Sequence, residues 1–150
     1  LRAEVYGLCA IILAEDGLVW NMRILNDGPL GRKYGYSEAA SAAAPGKVAA
    51  VLKLLDERLA AQDARGSAYL VGDALSAADI YWATMSMAVC PVPPSIMPVT
   101  KQNQGMLQFF EANAKLPAVA EVMSPRIEAH QRHIRTTYCE TPAVLGGDPL

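Results

Sequence analysis

Ser76 is followed three residues later by Asp79, and the run from Ala77 to Cys90 holds no charge besides Asp79. Ser-x-x-Asp at the start of an apolar run is a capping box in which Asp replaces the usual Glu. The Ser76 hydroxyl accepts from the Asp79 N–H, and the Asp79 carboxylate reaches back to the Ser76 N–H in the positive field of the helix start. Leu75 and Ile80 stand at the spacing of a hydrophobic staple. Gly72 supplies the positive φ that turns the chain into the cap. A helix apolar nearly all round is a buried one, and this one is too short for a bilayer, which needs ~20 apolar residues. The chain is therefore organised around a capped central helix, expected from Ser76 to about Val89, with other helices packed on it.

The rest of the chain supplies them. Residues 2–25 read as one long helix with Val5, Leu8, Cys9, Ile12 and Leu13 at helical spacing; Gly17 interrupts it and is expected to bend it. Asn26-Asp27-Gly28-Pro29 is a stop. Residues 28–44 read as loop or weak helix. Pro45 suits the first turn of the next helix, whose apolar stripe is Val48, Val51, Leu52, Leu55 and Leu59, with Gly66 as its stop. Four prolines between Pro91 and Pro98 exclude regular helix. Met106, Leu107, Phe110 and Ala114 mark another helix, and 117–123 a short one. Ser124-Pro125 caps a last helix with Ile127, His130, Ile134 and Tyr138 inside. The tail from Pro142, with Gly146-Gly147 and Pro149, reads as extended. No segment alternates with period two. The expected fold is all-α, an irregular bundle of five to seven helices in a single domain over residues 1–150.

Totals narrow the function. A net charge of −2 gives no basic surface for nucleic acid. Charged residues are 19% of the chain, below the ~25% of an average soluble domain, which an Ala-rich core explains and which a face meant for another domain or subunit explains equally. Cys9, Cys90 and Cys139 are far apart and odd in number, so free thiols in a reducing compartment are expected rather than disulfides or zinc. Arg2 and Glu4 interrupt the N-terminal apolar run, against a signal peptide. Leu1 is not a start methionine, which leaves room for a longer protein.

Few residues invite chemistry. Asp16, Trp20 and Arg23 share a face at i, i+3/i+4 spacing, either as a surface ion pair beside a core tryptophan or as a binding face. His130 and His133 stand at i, i+3, but a metal needs three or four converging ligands and no third is in reach, so no metal is expected. No glycine-rich phosphate loop and no Ser/His/Asp set can be argued.

The stretch Tyr69-Leu-Val-Gly-Asp-Ala-Leu-Ser-Ala-Ala-Asp-Ile80 resembles the capping-box segment of the glutathione S-transferase C-terminal helical domain, a resemblance that extends over nearly all of the chain. It implies that the box serves folding, with Ser76 as N-cap, Asp79 as reciprocal acceptor and Leu75 with Ile80 as staple. It implies that the first helix lines the pocket for a small apolar electrophile, which makes Asp16, Trp20 and Arg23 the substrate-binding candidates, and that glutathione is a co-substrate, with no other cofactor. The thiol-activating residue of that family lies in a thioredoxin-like domain, whose strand pattern is not found here. That domain is expected upstream, and no catalytic residue is expected in this chain. A homodimer in the cytoplasm, free of nucleic acid and membrane, completes the expectation. Two rivals stand beside it: a non-catalytic helical protein-interaction module of the same fold, and a cofactor-free carrier with an apolar groove. If a neighbouring domain is missing, an apolar patch is expected around Val5, Cys9 and Leu13.

Overall fold

In the computed structural model, which describes residues 1–145, the chain is helical, and no strand occurs among the described residues. The helices are α1 (Arg2–Leu13), α2 (Leu18–Arg23), α3 (Pro29–Lys33), α4 (Glu38–Asp63), α5 (Ala77–Met85), α6 (Gln104–Ala114), α7 (Pro117–Val122) and α8 (Pro125–Tyr138), with a 3₁₀ turn at Ser86–Ala88 after α5. These are the expected irregular bundle, with α1 and α2 as the halves of the expected first helix. Part of the predicted extended tail, including Gly146-Gly147, lies outside the described residues.

Helix α5 is the centre. It packs chiefly against α1 on one side and α8 on the other, while α4 supports α2, α7 and α8. Trp82 is fully buried, in one core cluster with Ile12, Leu18, Leu52, Leu55, Leu70 and Ile127. Burial is not complete all round, as the sequence suggested. Tyr81 and Met85 are each 39% exposed, because two neighbours cover only part of a helix's circumference.

Two boundaries and one buried face differ from expectation. The first helix is broken rather than bent. Its last α1 turn ends at Leu13, and Gly17 then seats its Cα against backbone carbonyls, where a Cβ would stand 2.8 Å from the Ile11 oxygen and 2.9 Å from that of Ala14. Helix α4 starts well before Pro45. Ser37 caps it by accepting from the Ala40 N–H at 3.1 Å, and the alanine run that follows has the highest helix propensity available. Pro45 therefore lies inside the helix, where the missing N–H costs one hydrogen bond that capping and propensity outweigh. In α8 the Ser124 cap and Pro125 are as expected, with the Ile127 N–H donating to Ser124 Oγ at 3.2 Å. Tyr138, however, is exposed at the end of the stripe, and Gln131 and Arg135 are buried in its place.

The N-terminal surface also departs from expectation. Val5, Cys9 and Leu13 are half-buried and pack against the core. The exposed apolar residues of this region are instead Leu1 and Tyr6, at 80% and 67% exposure. By length and hydropathy the 22-residue stretch Arg2–Arg23 is the one candidate membrane span among the described residues. The break after Leu13 and the burial of Leu8, Ile12, Leu18, Val19 and Met22 account for that apolar character through core packing.

Candidate functional site

The α1–α2 break builds a cleft. Asp16 sits in the break at φ 64°, a left-handed conformation that Asp tolerates better than most residues. Asn21, fully buried on α2, holds that turn by donating its Nδ2 to the carbonyls of Asp16 at 2.7 Å and Gly17 at 2.9 Å. Lys47 on α4 reaches across to the Asp16 carboxylate at 2.5 Å. That contact holds the Asp16 carboxyl below its ordinary value; slight burial opposes it, and Asn21 adds to it weakly.

On the far side, Trp20 of α2 meets Tyr34 edge to face, with ring centroids 4.8 Å apart. The Arg23 guanidinium lies 4.4 Å from the centroid of the Tyr34 ring, and the Lys33 ammonium 5.8 Å from it. Such contacts are worth about 0.5–1 kcal/mol each at solvent-accessible sites, and here they brace a half-buried ring. The cleft of about 810 Å³ is open to solvent and includes Glu15, Asp16, Trp20, Lys33, Tyr34 and Lys47 in its lining.

Of the three sequence candidates, Asp16 and Trp20 line this cleft. Arg23 does not; it braces Tyr34. Asp16 is in the break and not on a shared helical face, since Gly17 ends the helical register between them. Tyr34 and Lys47 were not singled out from sequence. Tyr34 lies in a segment that reads as loop or weak helix, and Lys47 in a helix that reads as starting at Pro45; their convergence on Asp16 and Trp20 is tertiary. The cleft can hold a planar apolar molecule against its aromatic wall and meet polar substituents at its charged rim. Among the described residues, no cysteine, serine or histidine lines it.

The capping box is formed, with its strength on one side. Asp79 Oδ2 accepts from the Ser76 N–H at 2.8 Å and from the Ser76 hydroxyl at 2.7 Å. The reverse contact, from the Asp79 N–H to Ser76 Oγ, is the looser half and falls outside strict hydrogen-bond geometry. Asp79 Oδ1 accepts from the Leu70 N–H at 2.7 Å and faces His130 Nε2 at 3.1 Å. Burial pushes the Asp79 carboxyl up, but His130, the Leu70 N–H and Ser76 together outweigh it and hold it below its ordinary value. Leu75 is exposed and Ile80 half-buried. Gly72 has φ 70°, as the turn requires. His133 is exposed while His130 is buried, so the two histidines face different surroundings. No group of three metal-ligating side chains occurs among the described residues.

A second, more enclosed cavity of about 500 Å³ lies between the proline-rich connector and α8, with Cys90, Glu128, Gln131 and Arg132 in its lining. Burial pushes the Cys90 thiol up to about 11, with Glu128 adding and Arg132 opposing, so it is not a thiolate at neutral pH. All three cysteines are free, Cys9 and Cys139 being half-buried.

Residues 20–97, from α2 through the capping box to the connector, match the family model "Glutathione S-transferase, C-terminal domain". The chain belongs to that family. Searches of curated proteins and of solved structures found no significant match.

Proposed function

We propose that this chain is the electrophile-binding half of a glutathione S-transferase-like protein, and that it has no conjugating activity by itself. The observation that carries the reading is the cleft at the α1–α2 break, where Trp20 and Tyr34 form an aromatic wall beside the Asp16–Lys47 pair. A wall of this kind suits an apolar aromatic electrophile. Attack on such a molecule needs a glutathione thiolate, stabilised by a positioned hydroxyl or thiol donor. In the family that donor belongs to a thioredoxin-like domain, which is the proposed partner of this half in a cytoplasmic homodimer.

The test uses the two tryptophans. Trp82 is fully buried and Trp20 is half-buried in the cleft. Titration with a chlorinated nitroaromatic should shift the Trp20 indole N–H resonance saturably and leave that of Trp82 in place. Trp20→Phe assigns the signal. With glutathione added, turnover should stay at the uncatalysed rate. Turnover above it, in a preparation free of host transferase, overturns the claim of inactivity; an unmoved Trp20 resonance overturns the claim of binding.

A second reading, a non-catalytic interaction module, is favoured by one observation. Leu1 and Tyr6 are the most exposed large apolar side chains among the described residues. Self-association that Tyr6→Glu abolishes, together with an empty cleft in the titration above, would select it.

A further inference from the structure

Tyr69 and Tyr138 lie 69 positions apart in sequence, with their phenolic oxygens 2.6 Å apart. Their ring centroids are 6.3 Å apart and the planes are tilted by 49°, so the two oxygen-bearing ring edges face each other. Neither ring lies in the cleft or in the Cys90 cavity.

Both rings are carried on anchored backbone. Tyr69 precedes the capped helix. Its N–H donates to Ser67 Oγ at 3.2 Å, and its carbonyl accepts from Gln62 Nε2 on α4 at 2.9 Å. Tyr138 is the last residue of α8, with His133 edge-on to its ring at 6.1 Å. The pair is open to reagents from the Tyr138 side, which is 43% exposed.

We propose that Tyr69 and Tyr138 are an oxidative cross-linking site, joined into an intramolecular dityrosine by a one-electron oxidant of the peroxidase class acting with hydrogen peroxide. Each phenol loses one electron and one proton to give a phenoxyl radical. The radicals couple through the ring carbons next to the oxygens, forming one C–C bond. Both rings then regain aromaticity as their ring hydrogens shift to the oxygens. Two tyrosines and one hydrogen peroxide give one dityrosine and two waters. Held edge to edge, the pair has the advantage of an intramolecular reaction over encounter between molecules. The bond would tie the entry to the capped helix to the end of α8. By the chain-entropy argument used for disulfides, a cross-link closing so long a loop restricts the unfolded state more than a short one does.

The test is peroxidase with limiting peroxide on the intact chain at low concentration. The expected product is a monomer lighter by two hydrogens, with dityrosine fluorescence and a raised thermal midpoint. Trypsin should release residues 66–101 joined to residues 136–150; fragmentation separates Tyr69 from Tyr81 within the first peptide. Tyr138→Phe and Tyr69→Phe, each checked for an unchanged urea midpoint, should both lose the fluorescence. Tyr6→Phe should keep it, although Tyr6 is the more exposed residue at 67%. Cross-links found only between molecules through Tyr6 or Tyr81 would overturn the proposal. So would an intramolecular yield that neither Phe variant reduces.

Discussion

Asp79 and His130 are 51 residues apart in sequence and 3.1 Å apart across the α5–α8 contact, both buried. The carboxylate that caps the central helix is thus also the point at which the last helix is attached to it. At the other end of α5, buried Arg135 donates Nε to the Ala83 carbonyl at 2.7 Å and Nη2 to that of Thr84 at 3.2 Å. Helix α8 therefore grips α5 at both ends, through His130 on the Asp79 carboxylate of α5 itself at the positive end of the α5 dipole and through the Arg135 cation at the negative end.

Asp79→Ala is expected to cost on the order of 3 kcal/mol, above the ~0.5–2 kcal/mol of an ordinary cap, because it also leaves the Leu70 N–H and His130 unpartnered in the interior. His130→Ala should cost less. The double variant should be less destabilised than the sum, by about 1–2 kcal/mol. Urea melts of the four proteins measure this; strict additivity would mean that the pair contributes nothing as a pair.

Stability should fall on acidification in a way that depends on Asp79. Its carboxyl is held below its ordinary value in the folded state. In the unfolded chain it takes up a proton near pH ~3.9. Its contribution is therefore fully present above that pH and is lost as pH falls through the lower, folded value. Urea midpoints from pH 7 down to pH ~3 should drop more steeply for the wild type than for Asp79→Asn. Parallel curves would remove Asp79 from the account.

Arg135→Met should cost about 1.5–3 kcal/mol, since it removes a charged donor from two carbonyls at the end of α5. Arg135→Lys should recover less than half of that loss, because one ammonium lacks the planar fork that spans both acceptors. Burial lowers the Arg135 pKa from its ordinary value, yet a guanidinium keeps its charge throughout the accessible range. Full recovery by lysine would show that charge alone matters there.

Gly17→Ala should destabilise by about 1–3 kcal/mol, as the new methyl would meet the carbonyl oxygens of Ile11, Ala14 and Ala10 at 3.0 Å or less. Gly7→Ala, on an open face of α1, should be neutral or slightly stabilising through helix propensity. Thermal melts of the two variants, run side by side, check the contrast. A Gly17→Ala protein as stable as wild type would show that the break relaxes freely.

The sequence by itself determined the helical class, the capped start of α5, the Ser124-Pro125 start of α8 and the proline-rich connector. Each is written in residues within a turn or two of one another. Capping, proline geometry and 3.6-residue periodicity act over that range and need no tertiary information. The same local logic misplaces the start of α4 at Pro45, because proline suits a first turn, whereas the Ser37 cap and the alanine run after it start the helix at Glu38.

Tertiary structure alone decided which side chains meet. Nothing near Asp79 announces His130, and nothing near Trp20 announces Lys47; Tyr34 was visible only as one tyrosine in a glycine-rich segment. Arg135 and Gln131 read as polar positions of an amphipathic helix, yet they are buried because the Ala83 carbonyl of α5, the Ser86 hydroxyl of its 3₁₀ turn and the Cys90 carbonyl just beyond it lie opposite them. Buried polar partners are chosen by the packing of whole helices. The cleft and the α5–α8 grip follow from that packing.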